Sequence, residues 1–189
     1  MTKLDRLHFT GNDEADALLV DEPLALLVGF VLDQQVSVPV AFNGPLKLKQ
    51  RLGKLDAREI ASMDPAKLDA VFRKKPAVHR FPSNMAKRTQ DMCAVLVEDY
   101  GGDAARVWAD AETGQELAER IGALPGFGEM KVNSLVAVLA KRLEVCPPGI
   151  DDVMPKHPTM GDIDSAEALK QYQAKKRAMK AEKRAKATS

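Results

Sequence analysis

"ALPGFGEMKVNSLVAVLAKR" occupies residues 123–142, and its reading decides the fold. Pro125, Gly126 and Gly128 stand directly ahead of apolar residues at helical spacing. On their other side, Thr113 to Ile121 reads as a short helix. Two helices joined by so short a link turn back on each other as a helix–hairpin–helix. Glycine enters backbone regions that alanine reaches only under strain, so both glycines are expected to build the turn. Lacking a Cβ, they also let a ligand approach the main chain. The following helix begins with amide N–H groups that have no internal partner, at the positive end of its dipole. That is an anion site, suited to a phosphate and indifferent to base sequence. Lys131 adds a charge in the first turn. The alternative is a structural corner with nothing bound.

Outward from the turn, the chain reads as helix almost throughout. Pro23 opens PLALLVGFVLDQQV (23–36), apolar nearly all round and therefore buried, with Gln34 and Gln35 at its C-terminal end. Pro39 fits the first turn of a second helix, which runs to Gly53. A short helix spans Arg58 to Ser62. Asp64 caps the next, with Pro65 at its first turn and Leu68 and Phe72 paired at i, i+4. Ser83 reads as the cap of a long helix that Gly101-Gly102 stop. Residues 1–20 read as a short strand or extended lead with a turn at Gly11-Asn12-Asp13. The hairpin, about 115–143, ends before Pro147-Pro148-Gly149. There is no repeat and no βαβ alternation. The expected fold is all-α, with eight to ten helices.

Composition narrows the function. The 189 residues are 45% hydrophobic and only 5% aromatic, which suits a helical core of one domain or two small lobes. No apolar run approaches the roughly 20 residues of a membrane span, and the start lacks a signal peptide's apolar region, so the cytoplasm is the expected compartment. Cys93 and Cys146 are too few for a four-cysteine iron–sulfur cluster held by this chain alone and are expected to be buried or half-buried thiols. His8, His79 and His157 are too scattered for a metal site. The net charge is +1, but residues 164–189 carry eight lysines and arginines against three acids, leaving residues 1–163 at −4. This basic tail, helical or disordered, is either a solvated end or a polyanion contact. Residues 1–163 form the expected helical domain.

Three stretches then combine. "LLVGFVLDQQVS" (26–37) resembles the helix of the helix–hairpin–helix (HhH-GPD) DNA glycosylase superfamily, especially its 3-methyladenine-glycosylase branch, where an apolar helix ends in Gln-Gln-Val-Ser. The hairpin resembles that of the same superfamily and follows about ninety residues later, as there. "MAKRTQDMCAVL" (85–96) lies between them, where the family has an Arg- and Lys-bearing helix. The resemblance covers about Asp21 to Val145. It implies two helical lobes flanking a cleft, no cofactor beyond a monovalent cation at the hairpin, and a nucleoid-associated monomer that flips a damaged base out of duplex DNA. Pro125, Gly126, Gly128, Lys131 and Arg88 would contact the backbone, and Gln34, Gln35 or the residues just after them would fill the vacated stack. Helix C-capping and a hydrogen bond across the lobe junction are the alternative roles for the two glutamines.

The catalytic groups depart from the family pattern. Its lyase members carry a lysine two residues after the second hairpin glycine, where this chain has Met130. Lys131 lies about 100° further round a helix. The resemblance therefore implies a monofunctional glycosylase that hydrolyses the N-glycosidic bond of a damaged, perhaps alkylated, base. The carboxylate it requires falls on Asp152, with Asp151 beside it, about two residues later than in the family. Pro155 and Pro158 interrupt any helix from there, so the C-terminal lobe is expected to be reduced, and the two aspartates are alternatively plain loop carboxylates. The alternative function is a catalytically inactive module that recognises damaged or distorted DNA.

Overall fold

The computed structural model describes residues 4–188, which hold eleven α-helices and, among the described residues, no strand. They are α1 (Asp13–Asp21), α2 (Pro23–Leu32), α3 (Val38–Leu52), α4 (Ala57–Ser62), α5 (Pro65–Arg73), α6 (Pro82–Tyr100), α7 (Arg106–Ala109), α8 (Gly114–Gly122), α9 (Glu129–Arg142), α10 (Ile150–Val153) and α11 (Ala166–Ala187), with a 3-10 turn at Met160–Asp162. The fold is all-α as expected. The count exceeds ten because α1 and the four-residue α7 and α10 are helical too.

Two local readings are corrected. The second half of the expected lead is α1. Asn12 is its N-cap, with a side chain that accepts the amides of Glu14 and Ala15. Gly-Asn-Asp punctuates a chain as a turn, but Asn ahead of an acidic first turn is equally a helix start. Buried Asp16 ties the preceding segment down by accepting the amides of Phe9 and Thr10 at 3.0 Å each. Residues 1–3 lie outside the described residues. At α6 the cap is Phe81, not Ser83. Pro82 takes the first helical position, where its missing N–H costs nothing. Ser83 lies inside the helix and accepts a bond from Arg73 at 2.6 Å.

The helices pack as two lobes. In the first, α1, α3 and α6 pack against α2, whose residues from Leu24 to Leu32 are all buried. Its glycine makes a close crossing possible: a Cβ on Gly29 would lie 2.4 Å from the Phe42 ring of α3. Phe42 is edge-on to both Phe9 and Phe30, with centroids 5.1 Å apart in each pair. Burying a ring this completely stabilises by roughly 2–3 kcal/mol. Gln90 of α6 holds α4 by donating to the carbonyls of Ile60 and Met63.

The second lobe is the hairpin, α8 and α9, with α7, α10, the 3-10 turn and the root of α11. Phe127 of the hairpin meets Phe30 of α2 at 6.4 Å, and one continuous apolar core crosses both lobes. After α9 the lobe is reduced, as expected. No α10 residue is buried, and Leu169 is the one buried residue of α11.

Candidate nucleic-acid interface

The turn is set by local rules and held by the core. Thr113 caps α8 through the amide of Glu116, and Leu124 and Phe127 are buried against the core. The Phe127 amide closes the turn on the Leu124 carbonyl at 3.2 Å. Only one of the two glycines is conformationally required. Gly126 has φ +86, whereas Gly128, the N-cap of α9, is extended at φ −80 and ψ 175, which any residue adopts. The expectation that both build the turn is therefore corrected. What they share is openness, since a Cβ on either would meet nothing within 4 Å. Beyond them, the Lys131 and Val132 amides both bond to the Gly128 carbonyl. The N–H groups of Gly128, Glu129 and Met130 have no acceptor among the described residues. Pro125, Gly126 and Gly128 thus frame an exposed donor cluster, with the Glu129 carboxylate in the same first turn opposing an anion.

Lys131 turns inward from this surface. Its Nζ donates to the Val31 carbonyl at 3.3 Å, while Met130 beside it is 80% exposed. Burial lowers the Lys131 pKa, and Asp33 opposes that shift. Asp33 is the C-cap of α2, with a side chain 12% exposed. Burial pushes its carboxyl pKa up, and Lys176 and Lys131 pull it down. Lys176 of α11 lies 3.9 Å from Asp33 and 5.9 Å from the Tyr172 ring centroid. Burial first, then Asp33 and Asp162, push the Tyr172 hydroxyl up to about 12.

Gln34 and Gln35 lie in the loop beyond α2, which ends at Leu32. The Gln34 side chain accepts from Arg88 of α6. Its backbone carbonyl accepts from His79 Nε2 at 3.0 Å, and the Phe81 amide donates to His79 Nδ1 at 3.0 Å. Those partners suit only the neutral imidazole with its proton on Nε2, and burial lowers the His79 pKa accordingly. Lys131 thus satisfies a carbonyl of the last turn of α2 that no further helical turn could bond, and His79 satisfies one in the loop just beyond it. A helix C-terminus is also where cations are favoured. Gln35 is exposed, with φ +56, a left-handed conformation costing a non-glycine residue on the order of 1 kcal/mol.

Of the residues picked from sequence, Gln34, Arg88 and Lys131 converge on one place, with Gln35 exposed next to them and Pro125, Gly126 and Gly128 on the turn. Asp151 and Asp152 do not join this arrangement. They are exposed on α10, which docks on the N-terminal end of α8, where a Cβ on Gly114 would lie 2.6 Å from Ile150 Cα. That end is about 12 Å along the helix from the turn. Lys87, next to Arg88, pairs instead with Asp91 at 2.7 Å.

Sequence reasoning missed Asp33, His79, Lys176 and Tyr172. A carboxylate closing an apolar helix was a visible oddity, because the dipole disfavours it there; nothing local distinguished the others. Cys93 is buried but Cys146 is exposed, correcting the expectation for the second thiol. Among the described residues no three His, Cys, Asp or Glu side chains group as metal ligands. Grooves of about 450 Å³ lie between α1 and α3 and where α1, α2 and the end of α9 meet, and neither is lined by Gln34, Gln35 or Lys131. Among the described residues no helix is long and apolar enough to cross a membrane.

Comparison with known proteins bears on this geometry. A solved structure of a trapped endonuclease III–DNA covalent intermediate, an estranged-adenine complex, is similar at TM-score 0.46 and 18% identity, covering 83% of this chain and 80% of that one. No curated protein matches. The family model for HhH-GPD superfamily base excision DNA repair proteins matches residues 28–188, from inside α2 through the hairpin to the end of α11. With most of its length matched, including the hairpin and the end of α2, the chain belongs to the HhH-GPD superfamily of base excision DNA repair proteins.

Proposed function

We propose that the protein grips duplex DNA at the hairpin turn and hydrolyses the N-glycosidic bond of a damaged base without cutting the strand. The observation that carries this reading is the open turn. Three unpartnered amides at the start of α9, with nothing in front of Gly126 or Gly128, suit a backbone phosphate. Gln35, exposed and strained in the loop after α2, is the group suited to enter the duplex when a nucleotide leaves the stack. An alkylated base is the proposed substrate, supported by the Gln-Gln-Val-Ser sequence at residues 34–37.

In the reaction the base departs with the bonding electron pair, positive charge develops at the sugar C1′, and water adds there with loss of a proton. A carboxylate facing C1′ stabilises that charge. Asp152 is the candidate from resemblance, with Asp151 beside it, and both are exposed. Lys131 is not proposed as a nucleophile, because its Nζ is occupied with the Val31 carbonyl and its neighbour Met130 holds the position of the lyase amine.

The test is a panel of duplexes with single lesions, worked up in alkali to reveal abasic sites. The expected result is excision by the wild type, no adduct trapped by borohydride, and loss of about a hundredfold or more in Asp152→Asn, the scale of one preorganised charge. A trapped adduct would make Lys131 the nucleophile after all. A second reading, a catalytically silent binder of distorted DNA, draws support from the exposure of Asp151 and Asp152 on α10. Tight binding with no excision on any lesion would favour it.

A further inference from the structure

The root of α11 is docked and its outer part is not. Leu169 is buried and Tyr172 half-buried, whereas every described residue from Ala174 to Thr188 is exposed. The helix persists through Ala187, rich in alanine, lysine, arginine and glutamate, all strong helix formers. Residues 174–187 carry seven bases, Lys175, Lys176, Arg177, Lys180, Lys183, Arg184 and Lys186, against the single acid Glu182.

The arrangement of these charges has a direction. At about 100° per residue, Leu169, Tyr172, Lys176, Lys180 and Lys183 fall within roughly 80° of arc on one side of the helix. The face that docks the root therefore continues outward as a lysine stripe. Lys176 shows where the docked face points, because its Nζ reaches Asp33 at the end of α2, beside Lys131 and Gln34.

We infer that the outer half of α11 is a second DNA contact, an arm whose Lys180 and Lys183 take backbone phosphates flanking those held at the hairpin. The inference rests on the hairpin being the DNA-binding face. From Lys176 to Lys183 the helix rises about 10 Å, roughly three phosphates of one strand at about 3.4 Å of duplex axis each. An anionic membrane fits less well. A helix lying on lipid needs bulky apolar residues opposite its charges, and the side opposite this stripe offers only the methyl groups of Ala174, Ala178, Ala181 and Ala185. Like charges at i, i+4, such as Lys176 and Lys180, also disfavour the free helix, and bound phosphates relieve that repulsion.

The experiment measures affinity for a short undamaged duplex against salt for the full chain, Lys180→Gln/Lys183→Gln and Lys170→Gln. Lys180, Lys183 and Lys170 are all exposed, so the variants are expected to melt as the wild type does. Lys170 lies about 120° round the helix from Lys176. The double variant should have a salt slope shallower by about 0.9 per lost contact, so its affinity loss between about 50 and 200 mM salt should be roughly tenfold smaller. Lys170→Gln should keep the wild-type slope. A double variant with the wild-type slope overturns the arm, and so does a change in Lys170→Gln that is equal per charge removed, which would mean diffuse charge rather than a directed face. A wild type that does not bind the duplex at all refutes the hairpin reading as well, which separates the two failures.

Discussion

Gly128→Val isolates the hairpin's contact with DNA from its folding. Gly128 is extended at φ −80, and a Cβ there points into open space, so valine introduces neither backbone strain nor a clash. Valine caps a helix less well than glycine, a cost of about 1 kcal/mol or less. In front of the free amides of Gly128, Glu129 and Met130, however, the branched side chain would occupy the approach of a phosphate. Losing one hydrogen bond to a charged group costs about 1.5–3 kcal/mol, or roughly 10- to 100-fold in affinity. Fluorescence anisotropy on duplexes of different sequence should show the same loss on each, because phosphates carry no sequence information. Gly126→Val is the contrasting variant. At φ +86 it should lose stability by about 1–3 kcal/mol as well as affinity. A Gly128→Val protein that melts normally and binds duplexes like the wild type would remove the turn from the interface.

Two further outcomes concern stability. Burial lowers the His79 pKa, so the unfolded chain takes up that proton first. Stability from this group is therefore complete above its unfolded value of about 6.5 and falls as pH drops through it towards the lower folded value. Urea midpoints from pH 8 to 5 should show that decline in the wild type and a smaller one in His79→Gln; equal declines would assign it to other groups. At Gly161 an added Cβ would lie 2.6 Å from the Ala137 backbone, which cannot yield as a side-chain end does. Gly161→Ala should cost about 2 kcal/mol, roughly 4–8 °C in melting temperature, and an unchanged melt would mean the 3-10 turn is not seated on α9.

Most helix boundaries were legible because their causes are local. Pro23 and Pro65 fit only a first turn, Asp64 caps through its own side chain to the amide of Lys67, and Gly101 leaves α6 in the left-handed conformation at φ 63. Each of these acts within a few residues of chain, and so does the hairpin turn at Gly126. The same locality explains the misreading at Asn12, where one short stretch satisfies both a turn rule and a capping rule, and packing against α2 and α3 selects the helix.

The site was legible only in part, because its chemistry depends on how the two lobes meet. Sequence placed Lys131 one position round the helix from Met130, but its direction was decided by α9 approaching the end of α2, a hundred residues away in the chain. Arg88 meets Gln34 across 54 residues and His79 meets it across 45. Asp33 is buried because α11 returns to cover it with Lys176 and Tyr172. None of these pairings has a periodicity or a spacing to read. They follow from the close approach at Gly29 and the Phe30–Phe127 contact, and contacts of that kind exist only once distant helices have packed.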